Sequence, residues 1–154
     1  MKRIRRNPRP FVLAGVAVAV LGGFFVVVAP LFNAGGAPTA ELAGAIPAHA
    51  HANAPVEIDV GLDNTGTSLL RPVCVQASVS GPLTADHAVF QGLDTVPFRG
   101  GTACGGALGG QETISIKLYL RPSGTGTASV AFTPSQGDAP LGGTLSGSIQ
   151  IENP

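Results

Sequence analysis

The chain has 154 residues, of which 44% are hydrophobic and 12% charged, and its nine basic residues balance its nine acidic ones. Five of the basic residues lie within residues 1–10, whereas all nine carboxylates come after position 40. The larger part of the chain is therefore net acidic. This argues against nucleic acid as a partner, because binding to phosphates needs Lys and Arg.

Residues 11–31, which follow the basic tail of residues 1–10, contain no charged side chain. As a helix this run would be about 31 Å long, which matches the hydrocarbon core of a bilayer. Lys and Arg next to a span stay on the cytoplasmic side. We therefore predict a single-pass transmembrane helix at 11–31 that sits in the lipid bilayer of the cell membrane. The N-terminus is then cytoplasmic and the rest of the chain extracytoplasmic.

A cleaved signal peptide is the alternative interpretation, since it too combines a basic start with an apolar run. The apolar run here is longer than the usual one, and the small residues Gly35 and Ala37 make a mediocre cleavage signal. These features favour a retained anchor.

Gly15, Ala19 and Gly23 recur every four residues and share one face of the predicted helix. Such a small-xxx-small pattern lets a second helix approach closely. It predicts packing against another membrane helix, either a second copy of the chain or a partner membrane protein. The alternative is that Gly and Ala are simply common in membrane spans.

Residues 32–55 are rich in Ala, Gly and Pro and have little periodicity, so we predict a linker there. The linker contains His49 and His51. Two histidines at i and i+2 on an extended backbone can share a copper or zinc ion, with His87 as a third ligand. The alternative is a pair of solvated linker histidines.

Alternating apolar side chains begin at Val56 and predict strands, and Gly and Pro mark the turns between them. Seven short strands of this kind predict an all-β domain at residues 56–154, an immunoglobulin-like antiparallel β-sandwich. The predicted strands cover residues 56–62, 69–79, 87–91, 95–98, 113–120, 128–132 and 145–151.

The run VEIDVGLDNTG at Val56–Gly66 resembles the opening strand and turn of bacterial immunoglobulin-like ectodomains. The resemblance extends loosely over residues 56–152. It implies a role in adhesion, assembly or support of membrane complexes, and no functional residue can be transferred from it.

Cys74 and Cys104 are the two cysteines of the chain. In an extracytoplasmic domain such a pair predicts a disulfide rather than a metal or redox site. Cys74 falls on the face opposite Val73 and Val75. We therefore expect the disulfide to clamp the glycine-rich loop at 99–110 against the outside of a sheet.

The glycine-rich loop at 99–110 is also the expected docking place for a partner, with Phe98 and Arg99 as the contact residues, because loops on rigid scaffolds carry recognition. No catalytic motif accompanies it. Asp86 and His87 are adjacent on a predicted strand, and neighbouring strand residues point to opposite faces. We therefore predict a protein that is not an enzyme and needs no cofactor.

These observations together predict a non-catalytic, membrane-anchored accessory or structural subunit of an envelope or membrane-protein complex. Its immunoglobulin-like domain would mediate protein–protein interaction, with oligomerisation left open. Two other functions remain as alternatives. One is an extracytoplasmic copper-binding protein that uses His49 and His51. The other is a pilin-like filament subunit, which also places an apolar helix before a β-domain.

Overall fold

Alternating apolar and polar side chains build two sheets within residues 37–154, the part of the chain that the computed structural model describes. The strands in this part are β1 Ala40–Gly44, β2 His49–His51, β3 Val56–Asn64, β4 Cys74–Ser80, β5 Leu83–Phe90, β6 Thr95–Pro97, β7 Thr102–Cys104, β8 Thr113–Pro122, β9 Gly126–Gln136, β10 Ala139–Pro140 and β11 Leu145–Glu152.

The pairing order of the strands confirms the predicted immunoglobulin-like β-sandwich. The first sheet has the order β1-β3-β8-β5-β6, and the second has the order β2-β11-β9-β4-β7 with β10 paired to β9. If β1, β3, β4, β5, β8, β9 and β11 are labelled A to G in chain order, the sheets contain A-B-E-D and G-F-C. That arrangement defines the immunoglobulin-type sandwich.

The core lies between the two sheets and is built from one face of each strand. Strand β3 alternates buried and exposed side chains, as its sequence predicted, and β8 and β9 do the same. The largest fully buried side chains are Phe90, Phe132, Ile58, Leu62, Leu70, Leu108, Ile116, Leu118, Leu120, Ile149, Ile151 and Val73. Burying a side chain of this size contributes roughly 1.5–3 kcal/mol.

Two strands occupy residues 40–51, within the predicted linker, so the linker prediction is wrong there and the folded unit begins at Ala37 rather than at Val56. Strand β1 pairs antiparallel with β3, from Ala40 opposite Asn64 to Gly44 opposite Val60. Both strands are short edge strands paired on one side only. Backbone pairing, and not an apolar periodicity, therefore determines their conformation.

A third strand, β7, lies inside the glycine-rich segment that was expected to be a loop. Ala103 faces the core and is buried, and Val75 of β4 is its register partner. Glycines on both sides of this three-residue strand leave too few residues for an alternation of apolar and polar side chains to be recognised in the sequence.

The predicted span at 11–31, its packing residues Gly15, Ala19 and Gly23, and the basic tail at 1–10 lie outside the described residues. Within residues 37–154, no helix has the length and apolar character needed to cross a membrane.

Candidate functional site

Cys74 and Cys104 form a disulfide between neighbouring strands of the second sheet. They are register partners on β4 and β7, and their Cα atoms are 4.0 Å apart. Ser135 of β9 is the other register partner of Cys74, so the three side chains share the outer face of the sheet. The disulfide therefore holds the glycine-rich segment within one sheet and does not join the two sheets through the core.

Asn64 holds the other end of the same segment. It is buried, and its Nδ2 donates hydrogen bonds to the carbonyl oxygens of Ser68 at 2.8 Å, Gly109 at 2.8 Å and Leu108 at 3.3 Å. Its Oδ1 accepts a hydrogen bond from the Gly66 amide at 3.1 Å. The glycine-rich segment is thus attached to the sandwich at two points, at Cys104 by a covalent bond and near its C-terminal end by a buried amide.

Arg99 stands at a tight hairpin that leads into β7. Its amide donates to the carbonyl of Thr102 at 2.9 Å, and the Thr102 amide donates back at 3.1 Å. Gly100 and Gly101 form the turn with φ of 59° and 82°. Positive φ at both central residues is the requirement of a type I′ hairpin turn, and glycine meets it without steric cost. The backbone that carries Arg99 is therefore fixed.

The Arg99 side chain lines an open groove of about 430 Å³ at the β6–β7 edge of the sandwich. We call this the Arg99 groove, and its other lining residues are Val96, Pro97, Thr102, Cys104, Gly137 and Asp138. Arg99 is exposed, and within residues 37–154 it has no carboxylate within ion-pair distance. The groove thus has partly apolar walls and contains one unpaired guanidinium, with Asp138 also in its lining but not in an ion pair with Arg99.

Phe98, the other predicted contact residue, is less accessible than Arg99. Its side chain is half-buried and packs against the hydrophobic core, and its amide donates to the carbonyl of Asp86 at 3.0 Å. The structure therefore brings Arg99 but not the whole of Phe98 to the surface. The apolar contribution next to Arg99 comes from Val96 and Pro97 instead.

A second groove of about 430 Å³ lies over the outer face of the first sheet. We call it the His87 groove, and its lining residues are Ala52, Asn53, Ala54, Pro55, Asp86, His87, Tyr119, Arg121 and Pro122. The imidazole of His87 stacks on the ring of Tyr119, with centroids 4.4 Å apart and an interplanar angle of 17°. Arg121 pairs with Asp86 at 2.9 Å.

Asp86 and His87 contact each other, contrary to the expectation that adjacent strand residues point to opposite faces. Their Oδ2 and Nδ1 atoms are 3.2 Å apart. A register shift in the pairing of β5 with β8 between Ala85 and His87 explains this contact. Such a bulge inserts an extra residue and breaks the strict alternation of side chains. The bulge itself has no signature in the local sequence.

Hydrogen bonds along the same face shift the pKa values of its charged groups. The Arg121 guanidinium beside Asp86 lowers the pKa of that carboxyl. Lys117 donates to Glu57 and lowers its pKa, and the same contact raises the pKa of Lys117. Tyr119 also donates to Glu57, and this bond raises the pKa of the phenol above 10.0. The two cations of this face, Lys117 and Arg121, are thus already paired with carboxylates.

His49 and His51 lie together on β2 and not in a solvated linker. Both side chains are exposed, while Ala50 between them packs toward the core. His49 Nδ1 is 3.1 Å from Oε1 of Glu152 on β11. His87 belongs to the other sheet and does not join them. Within residues 37–154, no three His, Cys, Asp or Glu side chains come together as a ready metal site.

No family model and no curated protein sequence matches the chain. Several solved structures have a similar fold. AvmM, described as catalysing macrocyclization in alchivemycin A biosynthesis, is 14% identical with a TM-score of 0.51, and the match covers 76% of this chain and 90% of AvmM. At this identity the likeness shows the fold alone.

Two further matches have lower TM-scores. The CARDB domain of PF1109 from Pyrococcus furiosus is 14% identical with a TM-score of 0.49, over 74% of this chain and 93% of that domain. A PapD-like domain of human CEP192 is 15% identical with a TM-score of 0.37, over 75% of this chain and 85% of that domain.

Proposed function

We propose that the protein is a non-catalytic interaction subunit, anchored in the cell membrane by residues 11–31, whose extracytoplasmic immunoglobulin-like domain binds a partner membrane protein through the Arg99 groove. The observation that carries the proposal is the fixation of this groove. A two-glycine hairpin and a disulfide hold its walls, while its one guanidinium stays unpaired within the described residues.

A fixed, partly apolar groove suits recognition because little conformational entropy is lost when a partner binds. The His87 groove supports binding less well. Its Arg121 and Asp86 already pair with each other, and its Tyr119 bonds to Glu57. A partner there would have to replace existing interactions, whereas Arg99 offers one that is unused.

The chemistry of the Arg99 groove defines the partner segment. Val96 and Pro97 offer apolar contact, and the guanidinium of Arg99 can donate two parallel hydrogen bonds to a carboxylate. We infer that the partner inserts a short extended segment with small apolar side chains and one acidic residue. The small-residue face at Gly15, Ala19 and Gly23 would supply a second contact between helices in the membrane.

Charge reversal in the two grooves tests the proposal. Arg99→Glu is expected to abolish co-purification of the partner from detergent-solubilised membranes, because it places like charges opposite each other. Arg121→Glu is the matched control, since it makes the same charge change on the other groove. Loss of the partner with Arg121→Glu but not with Arg99→Glu would refute the assignment of the groove.

Carbonate extraction tests the anchor separately. The full chain is expected to stay in the membrane pellet at high pH, and a protease added from outside should remove the domain but spare the basic tail. Recovery of the intact chain in the carbonate supernatant would contradict the anchor and leave the groove to be judged by the charge-reversal variants.

A further inference from the structure

The outer face of β2 carries two imidazoles on a backbone that is held at both ends. The Gln150 amide donates to the carbonyl of Ala48 at 2.8 Å, and the Ala52 amide donates to the carbonyl of Glu152 at 2.9 Å. Between these bonds, β2 pairs in parallel register with β11, and Ala50 packs on the core. The two histidines on either side of Ala50 therefore project from a fixed strand toward solvent.

We propose that His49 and His51 form a surface site for a divalent transition-metal ion, with Cu²⁺ bound most tightly, and that Glu152 positions His49. Successive side chains on one face of a strand are about 6.6 Å apart. Two imidazoles at that spacing can turn toward one ion at a metal–nitrogen distance of about 2.0–2.1 Å. Imidazole suits copper and zinc, and copper binds most tightly in the divalent series.

Glu152 has the contact expected of a residue that supports a metal ligand. Its Oε1 is 3.1 Å from Nδ1 of His49, and it is the register partner of His51, on the same face of the sheet. If Nδ1 carries the proton and donates to this carboxylate, Nε2 is left as the free electron-pair donor. Histidine ligands in metal sites regularly use their second nitrogen in this way.

The electrostatic surroundings also admit a cation. Strand β2 is one edge of the second sheet and β7 is the opposite edge, so Arg99 lies across the full width of the sheet from the histidines. Lys117 belongs to the first sheet, and Arg121, which lines the His87 groove together with Ala52 and Asn53, is paired with Asp86. Glu152 adds a negative charge beside the two rings. Two imidazoles fill only part of the coordination sphere, so water or a donor from a partner completes it.

The test uses the untagged full chain in detergent and Cu²⁺ alone as the probe. We expect one Cu²⁺ per chain by calorimetric titration, and an electron paramagnetic resonance spectrum with coupling to two imidazole nitrogens. The His49→Asn/His51→Asn double variant should lose this binding, while His87→Ala keeps it. Glu152→Gln should weaken the affinity by about tenfold, as removal of an outer partner of a metal ligand typically does.

Equal affinity of the native chain and the double variant would overturn the site, as would a copper spectrum without nitrogen coupling. Unchanged affinity in Glu152→Gln would overturn the role given to Glu152. The electron paramagnetic resonance spectrum of the native chain identifies the nitrogen ligands directly, so the site remains testable even if a variant folds poorly. None of these outcomes depends on the Arg99 groove or on the membrane anchor.

Discussion

Gly142 lies so close to the backbone of Ala40 that a methyl group on its α-carbon would overlap the carbonyl oxygen of Ala40. Next to this contact, the amide of Ala40 donates a hydrogen bond to the carbonyl of Leu141 at 3.2 Å. The segment before β11 thus closes over the first residue of β1. Ala40 itself is completely buried. Strand β1 is therefore part of the sandwich and not a tether in front of it.

The close approach at Gly142 predicts a specific sensitivity to substitution. Gly142→Ala should lower the free energy of unfolding by about 1–3 kcal/mol, the usual range for overpacking. The adjacent Gly143 has open space where its side chain would be. Gly143→Ala is the matched control and should change stability by less than about 0.5 kcal/mol. Urea denaturation measures both, and equal stability of the two variants would contradict the packing of β1.

The sequence predicted the sandwich because its central strands have the clearest alternation. Val56, Ile58, Val60 and Leu62 are all buried, as the period-two pattern indicated. The edge strands β1 and β2 escaped prediction because pairing, and not burial, orders them. In AELAG at β1, only Ala40 is fully buried, and in HAH at β2 the histidines face solvent. Without knowledge of the strands with which they pair, the sequences of such segments resemble that of a linker.

The candidate site was predictable only in part. The two cysteines predicted the clamp that the disulfide forms, whereas the role of Arg99 as a contact residue beside the glycine-rich segment stays a prediction. Asp138 comes to the Arg99 groove from the turn after β9, and no local pattern predicts that approach. Asn64 lies beyond the predicted strand at 56–62, whereas the structure places it at the end of β3, where it is buried. Its hydrogen bonds to residues 44 and 45 positions away have no local signal.

The buried amide of Asn64 predicts a large loss of stability on truncation. Asn64→Ala removes the side-chain hydrogen bonds to the carbonyls of Ser68, Leu108 and Gly109, of which the last two keep amide donors in the backbone, and each lost hydrogen bond costs roughly 0.5–1.5 kcal/mol. We expect a loss of about 2–3 kcal/mol in the free energy of unfolding. Asn53→Ala, at an exposed position, should change it by no more than about 0.5 kcal/mol. A loss at Asn64 as small as that at Asn53 would contradict the role of its hydrogen bonds.

Reduction of the disulfide should destabilise the domain without changing its sheet topology. Cys74 and Cys104 are 30 positions apart, and closing a loop of this size is worth about 3–4 kcal/mol on the chain-entropy model. The urea midpoint of the native chain should therefore fall on addition of a reductant. The Cys74→Ala/Cys104→Ala variant is the control and should not respond. If the reductant leaves the urea midpoint of the native chain unchanged as well, the disulfide is absent or does not contribute to stability.

The phenol pKa of Tyr119 can be measured without overlap from other side chains, because Tyr119 is the single tyrosine in a chain without tryptophan. This pKa depends on the charged groups around Tyr119. The neutral phenol donates to Glu57, so ionisation would set a phenolate beside a carboxylate. Ultraviolet titration should give a pKa above 10.0 for Tyr119. Because this pKa is raised by folding, the stabilisation is present below the ordinary phenol pKa and is lost as pH rises through the raised value.

Glu57→Gln should bring the phenol pKa of Tyr119 back toward its ordinary value, because the negative charge is removed. Glu41→Gln makes the same change on β1 and should leave the phenol pKa where it is. A titration midpoint at or below the ordinary phenol pKa in the native chain would contradict the hydrogen bond between Tyr119 and Glu57.

Site-specific photocrosslinking in native membranes is the most direct test of recognition through the Arg99 groove. A photoreactive side chain is placed at Asp138, on the rim of the groove, and in a second variant at Ser148, which is exposed on the outer face of the same sheet. We predict one discrete membrane-protein adduct from position 138 and none from position 148. No adduct from position 138, or the same adduct from both positions, would contradict the proposed interaction.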